Sequence, residues 1–206
     1  GQSEEFTAPK HPKKPEMGSR TIPFGREIYV DREDFMEDPP KNFFRLGPDR
    51  EVRLRYGYII RCDEVIKDPV SGEVSELRCS YDAETGGGVL PEGRKKVKGI
   101  IHWVSATESV QAEVRLYDRL FTVARPDQAS AGDFKSHLNP DSLEVLRDAR
   151  IEMSLVAQTN EAVQFERTGY FVNDAIDSKP DAPVFNRIVT LRDSWAKIEK
   201  AQLENA

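Results

Sequence analysis

Long apolar runs are missing from this chain. None approaches the ~20 residues that a membrane-crossing helix needs, and the opening GQSEEFTAPKHPKKPEMGSR has no apolar core of a secretory signal. Cysteine is scarce: Cys62 and Cys79 are the two present, without metal-ligand spacing, which points to reduced thiols in a cytoplasmic protein. The three histidines, His11, His102 and His137, do not cluster with cysteines or carboxylates, so a metal centre is not expected. His102, beside Trp103 in an apolar run, reads as a hydrogen-bonded core histidine. No Ser-His-Asp or Cys-His arrangement can be assembled without arbitrary choices, which leaves a hydrolase or a kinase without a site. The glycine-rich DAETGGGVLPEGRKKVK, Asp82–Lys98, lacks the spacing of a phosphate-binding loop and no helix start follows it. It reads as a surface loop whose Arg94, Lys95, Lys96 and Lys98 can meet a nucleic-acid backbone. An excess of positive charge is also missing. Basic residues number 30 against 36 acidic, a net charge of −6. That argues against a generic nucleic-acid coat and favours local basic patches that discriminate.

What is present is a globular composition, 38% hydrophobic and 32% charged over 206 residues, enough for one large or two small domains. Residues 1–20, rich in Lys and Pro, read as an extended linker or arm. The chain does not begin with Met, which suggests part of a longer polypeptide. A succession of strand-like runs follows: 26–31, the alternating part of 41–61, 64–67, 73–81, 97–105, 113–122, 143–155, 162–172 and 184–191. Turn signals separate them, Asp68–Gly72 the clearest. A helical turn is expected within 31–38, another near 133–136, and a short helix at 193–206 with Trp195 and Ile198 on one side. Roughly nine strands and no sustained helix give an all-β chain of one or two barrels. Runs 26–31 and 184–191 are expected to pair, so that the barrels share strands.

Two stretches carry candidate chemistry. In KNFFRLGPDREVRLRYGYIIR, Lys41–Arg61, residues Val52, Leu54, Tyr56, Tyr58 and Ile60 share one parity, while Glu51, Arg53, Arg55 and Arg61 share the other. A strand of that pattern projects Arg53 and Arg55 from one face about 7 Å apart, at roughly 3.3 Å per residue. Phe43, Phe44 and Arg45 just before it add stacking planes beside guanidinium groups, the means of holding unstacked bases. An ordinary amphipathic strand with solvated arginines satisfies the same pattern. In AVQFERTGYFV, Ala162–Val172, Gln164, Glu166 and Thr168 share a face, where an amide and a carboxylate can read a base edge. Local ion pairing of Glu166 with Arg167 accounts equally well for the polar face.

Seven strings in order, HPKKPEMGSR, IPFGREIYVDREDF, KNFFRLGPDREVRLR, KGIIHWVSA, EVRLYDRLF, FERTGYF and VFNRIVTLRDSWAK, resemble the C-terminal half of glutaminyl-tRNA synthetases, from about His11 to Lys197. The resemblance implies an anticodon-binding region of two six-stranded-type, ribosomal-protein-L25-like β-barrels with little helix. It places a linker at 1–20, a distal barrel at 36–106, a proximal barrel at 21–35 plus 107–195, and a tail at 196–206. The two class I catalytic signatures do not occur in the chain, so no catalytic residue is expected here. ATP and magnesium belong to the parent enzyme, whose catalytic domain is not in this sequence.

By the same resemblance, Arg53 and Arg55 contact the first anticodon base and its backbone, and Arg45 reads the third, a guanine. Gln164, with Glu166 and Arg167, forms the pocket for the central uracil. Lys41 aligns with a basic position near the anticodon. Asn42 stands where some members have Gln, Phe44 where some have Lys, and Lys13 where the family has an Asn facing the anticodon stem. The implied partner is glutamine tRNA, bound by a cytoplasmic monomer, with no DNA and no membrane. The matching part of a eukaryote- or archaeon-type glutamyl-tRNA synthetase, or a free-standing RNA-binding module of the same barrel type, are the other readings.

Overall fold

The computed structural model describes residues 3–128, 133–156 and 161–191, and the chain divides into two compact units, Gly1–Ser109 and Val110–Ala206. In the first unit, β1 (Glu4–Pro9) and β2 (Ser19–Phe24) form an antiparallel hairpin, and β3 (Ile28–Val30) pairs with β8 (Trp103–Ser105). A four-stranded sheet runs in the order β6-β5-β4-β7, from β4 (Glu51–Leu54), β5 (Ile59–Lys67), β6 (Val74–Asp82) and β7 (Ile100–Ile101). The β5–β6 turn forms as its residues dictate: Asp68 accepts from the backbone N–H groups of Val70 and Ser71, and Gly72 takes φ +73°.

Alternation sends Val52, Leu54, Ile60 and Cys62 inward to meet Leu46, Ile101 and Trp103. Fully burying each large apolar side chain contributes about 1.5–3 kcal/mol. Phe6, Phe24, Tyr58 and Trp103 meet edge to face, with Phe24 and Trp103 centroids 5.4 Å apart at 81°. Tyr58 donates its hydroxyl to Glu4, and this bond with burial pushes the phenol up to about 12.

The second unit is one five-stranded sheet, β10-β9-β13-β12-β11, from β9 (Ser109–Tyr117), β10 (Leu143–Glu152), β11 (Ala162–Phe165), β12 (Gly169–Asn173) and β13 (Val184–Thr190). β13 runs parallel to β9 and antiparallel to β12. Its core joins Ala112, Val114, Ile151, Phe171 and Phe185, with Phe165 stacked on Phe171 at 4.4 Å. The β12–β13 loop is pinned by Asp174, which accepts from the N–H groups of Asp177 and Ile176 and from the Asn186 amide. The Asp177 N–H leads these bonds in holding the carboxyl below its ordinary range.

The all-β class stands, with only short 3₁₀ turns as helix among the described residues. Several expectations change. The hydrogen-bonded ladders close no barrel among the described residues; they form four open sheets. Residues 4–9, expected in a linker, are β1, because Phe6 and Ala8 find apolar cover while Glu5 and Thr7 face out. Residues 26–31 supply β3, which pairs with 103–105 and not with 184–191; the latter run takes β12 and β9 as neighbours. The two compact units divide between Ser109 and Val110, at the start of β9. The helix expected at 193–206 lies outside the described residues.

Gly99 is the tightest backbone approach in the first unit. A Cβ there would lie 2.2 Å from the Phe44 carbonyl oxygen and 3.0 Å from Val52 Cγ2. Gly99→Ala is expected to lower unfolding free energy by about 1–3 kcal/mol, as overpacking against backbone does. Urea denaturation followed by circular dichroism measures it; an unchanged midpoint would mean that the 41–45 segment lifts away freely.

Candidate nucleic-acid interface

The segment 39–50 crosses the edge of the first unit and is fastened at three places. Arg50 donates to the carbonyls of Phe43 (3.2 Å) and Pro39 (3.1 Å), and Leu46 is buried and donates its N–H to the Asp34 carbonyl. Gly99 sits under the Phe44 carbonyl, and its own carbonyl accepts from the Arg53 N–H. Gly99 therefore brings the start of β4 and the aromatic-basic loop to one place. With the loop tied from beneath, the side chains on its upper side are free to face solvent.

Arg45 is one of them, and it is held in place. Its Nη1 donates to the Glu33 carbonyl at 2.8 Å and lies 3.4 Å from Asp34 Oδ1, while its guanidinium lies 5.7 Å from the centroid of the Phe43 ring. Asp34, carried by the 3₁₀ turn Arg32–Asp34, is 2% exposed, whereas Arg45 is 32% exposed. These ties to Glu33 and Asp34 all use Nη1. The guanidinium also carries Nη2 and Nε, which with Nη1 make a planar fork that suits two adjacent acceptors on a base edge. Half-exposed Phe44 lies beneath Lys98 Nζ, 5.0 Å from its centroid, and offers a ring face beside that fork. Lys41 and Asn42 are exposed on the same loop.

Arg53 and Arg55 do not belong to one continuous strand reaching Arg61, because β4 ends at Leu54. The alternating stretch folds back on itself: Leu54 and Tyr58 face each other across a turn in which the Gly57 N–H donates to the Leu54 carbonyl. Tyr56 takes φ +60° to close it. Arg53 remains on β4, where one guanidinium nitrogen donates to the Val89 carbonyl at 3.2 Å and Nη1 is buried without a protein partner. Arg55 is in the turn itself, its backbone held by Ile101 and by Trp103 Nε1 (3.0 Å). Tyr56 meets Arg20, 6.0 Å over its ring. Of the loop cations, Arg94 is engaged by Glu51 (2.7 Å) and Asp82 (3.0 Å), while Lys95, Lys96 and Lys98 are exposed.

The second unit repeats the correction. Ala162–Val172 is a hairpin: Phe165 faces Gly169, the Thr168 N–H donates to the Phe165 carbonyl, and Arg167 takes φ +63°. Of the expected face, Gln164 stays on β11, exposed, while Glu166 and Thr168 are turn residues. Glu166 lies 3.9 Å from Arg167 and is mostly covered. The pairing reveals a residue that strand parity missed. Tyr170 stands directly opposite Gln164 and is 42% exposed, so an amide and an aromatic face share one surface. Its signal was the turn: a pairing centred on Arg167 brings 164 and 170 together.

Among the described residues no three His, Cys, Asp or Glu side chains gather to hold a metal ion, and no helix is long and apolar enough to cross a membrane. In the first unit, exposed Phe44, a held guanidinium and exposed lysines suit a polyanion with accessible bases; in the second, the Gln164 amide beside Tyr170 suits a base edge.

The sequence matches the family described as the anticodon-binding domain of class I tRNA synthetases (E and Q), over residues 1–82 and again over residues 100–174. A glutamine–tRNA ligase of Pseudomonas syringae is 58% identical over 197 residues, 95% of this chain and 34% of that protein. Those of Nitrobacter winogradskyi and Pseudomonas putida are 55% and 57% identical over 98% and 95% of this chain. The chain spans about a third of the length of the curated relatives it matches.

Removing Arg45 takes a cation from the buried Asp34 carboxylate. Arg45→Ala is expected to cost about 1–3 kcal/mol of stability, and to cost less in an Asp34→Asn background, where the ion pair is already gone. A double-mutant cycle by urea denaturation measures the coupling; additive losses would mean that the two groups do not interact in solution.

Proposed function

Because the chain belongs to the anticodon-binding domain family of class I tRNA synthetases for glutamate and glutamine, we propose that it reads the anticodon loop of a glutamine-accepting tRNA. The carrying observation is the Arg45 fork, fastened through Nη1 by Glu33 and Asp34 and lying over Phe43. A guanidinium ordered before binding loses little freedom on docking, and a guanine presents two adjacent acceptors to it. Arg45 reads the third anticodon base in this proposal. Arg53, with Arg55 in the neighbouring turn, contacts the first base and its backbone. Gln164 reads the central uracil with Tyr170 as a stacking face, and Glu166 and Arg167 shape the turn beside it. Lys41, Lys98 and the 95–96 pair supply phosphate contacts, with Asn42 at their edge.

The choice of glutamine over glutamate rests on the relatives, which are glutamine–tRNA ligases at 55–58% identity. The family description itself covers both amino acids. Aminoacylation, with its ATP and magnesium, falls to the remainder of the longer ligase. This chain positions the tRNA for that step, as a cytoplasmic monomer that takes neither DNA nor membrane as partner.

Base readers and phosphate contacts respond differently to substitution. Arg45→Ala, and Arg45→Lys, which keeps the charge but loses the fork, are expected to lower discrimination between guanine and adenine at the third position by about 5- to 150-fold, the equivalent of about 1–3 kcal/mol. Fluorescence anisotropy with anticodon stem-loop RNAs measures the ratio at fixed salt. Equal weakening for both RNAs would reduce Arg45 to a phosphate contact and remove the main support for this reading. Lys98→Ala should instead weaken both RNAs alike and flatten the salt dependence by about one unit of slope.

A further inference from the structure

Cys62 and Cys79, expected as separate reduced thiols, face each other across β5 and β6 as direct register partners. The type of pair can be deduced. The Cys62 carbonyl accepts from the Asp49 N–H at 2.9 Å, and its N–H donates to the Arg50 carbonyl at 3.3 Å. Both backbone groups of Cys62 therefore point away from β6, which makes Cys62–Cys79 a non-hydrogen-bonded antiparallel pair. In such pairs the Cα atoms stand about 4.5 Å apart and the side chains are closest, at the near end of the separation a disulfide spans. The Cys62 thiol donates to the Glu64 carbonyl at 3.8 Å. A bulge at Asp63 follows immediately and adds local twist. Cys62 is 1% exposed, whereas Cys79 is exposed on the edge strand.

We propose that Cys62 and Cys79 form a reversible dithiol site, oxidised by small-molecule disulfides of the glutathione type to a cross-strand disulfide. The Cys79 thiolate attacks one sulfur of the oxidant, forming a mixed disulfide and releasing one thiolate. The Cys62 thiolate then attacks Cys79 Sγ, closing the protein disulfide and releasing the second. The protein loses two electrons and two protons, and the oxidant becomes two thiols. Only Cys79 is accessible for the first step; only Cys62 is placed for the second. Partial desolvation, with Cys62 and Asp63 nearby, holds the Cys79 thiol up at about 12, so the first step is slow at neutral pH and quickens as pH rises. The bridge would tie the edge strand β6 to β5 at the residue whose backbone bonds fasten Asp49 and Arg50, beneath the segment that carries Arg45. The site does not depend on the RNA-reading proposal.

The test is incubation of the full chain with oxidised glutathione at pH 7 and pH 9, followed by non-reducing peptide mapping. A Cys62–Cys79 cross-link forming faster at pH 9, reversed by dithiothreitol, is expected, with a melting temperature raised by roughly 5–15 °C. Cys62→Ala should then stall at a lasting glutathione adduct on Cys79. In the unsubstituted chain, a lasting adduct on Cys79, or two free thiols after oxidation at pH 9, overturns the proposal. So does a cross-link between chains in place of one within them.

Discussion

Two tight reversals decide what the rest of this chain can do. Leu54–Tyr58 and Phe165–Gly169 have the same construction: facing end residues, one i to i+3 backbone bond, and a left-handed third residue that is not glycine, Tyr56 at φ +60° and Arg167 at +63°. Each such residue costs about 1–2 kcal/mol relative to the right-handed region. The surroundings offset that cost. In the first unit Trp103 donates to the Arg55 carbonyl, and Gly57 lies so close beneath the Trp103 ring that a Cβ would come within 3.3 Å of it. In the second, Gly169 lies against the Val189 carbonyl, where a Cβ would sit at 2.5 Å. Glycine is thus kept for the crowded position and the strained backbone is left to Tyr56 and Arg167. Of the two strained positions, Arg167 is exposed, whereas Tyr56 packs partly against the core of the first unit.

That construction also explains which part of the fold was legible beforehand. Alternation survives a three-residue loop, because partners four apart have the same parity. Val52, Leu54, Tyr58 and Ile60 therefore keep one period straight through a reversal, and the stretch reads as a single strand. The usual warning, a glycine or asparagine at the left-handed position, is absent in both turns. The all-β class, the Asp68–Gly72 turn and most strand positions were legible because they depend on local pattern. Pairing partners were not. Nothing local in REIYVD selects β8 over β13, and the Lys-Pro richness of residues 1–20 conceals the alternation of Glu5, Phe6, Thr7 and Ala8 that makes β1. For the candidate site, Arg45 and its aromatic neighbours could be named from residue types. The buried Asp34 that holds Arg45, and the Tyr170 that faces Gln164, needed the fold.

Net charge sets the terms on which such a surface can work. At −6, the molecule repels RNA at long range, so affinity must come from contacts made at close quarters. The basic groups are managed accordingly. Arg61, Arg78, Arg94 and Arg115 are each spent on neighbouring carboxylates. Lys95, Lys96 and Lys98 stand exposed on one loop, with Lys98 over the Phe44 ring. A chain with every cation exposed would bind any phosphate backbone and gain no selectivity by it. With acidic residues in excess, non-specific attraction stays small, and in the proposed reading the held Arg45 guanidinium makes the difference between one base and another. In the proposed reading, discrimination follows from the acidic balance as much as from the fork itself, so the net charge that argued against a generic nucleic-acid coat becomes a condition for selective reading.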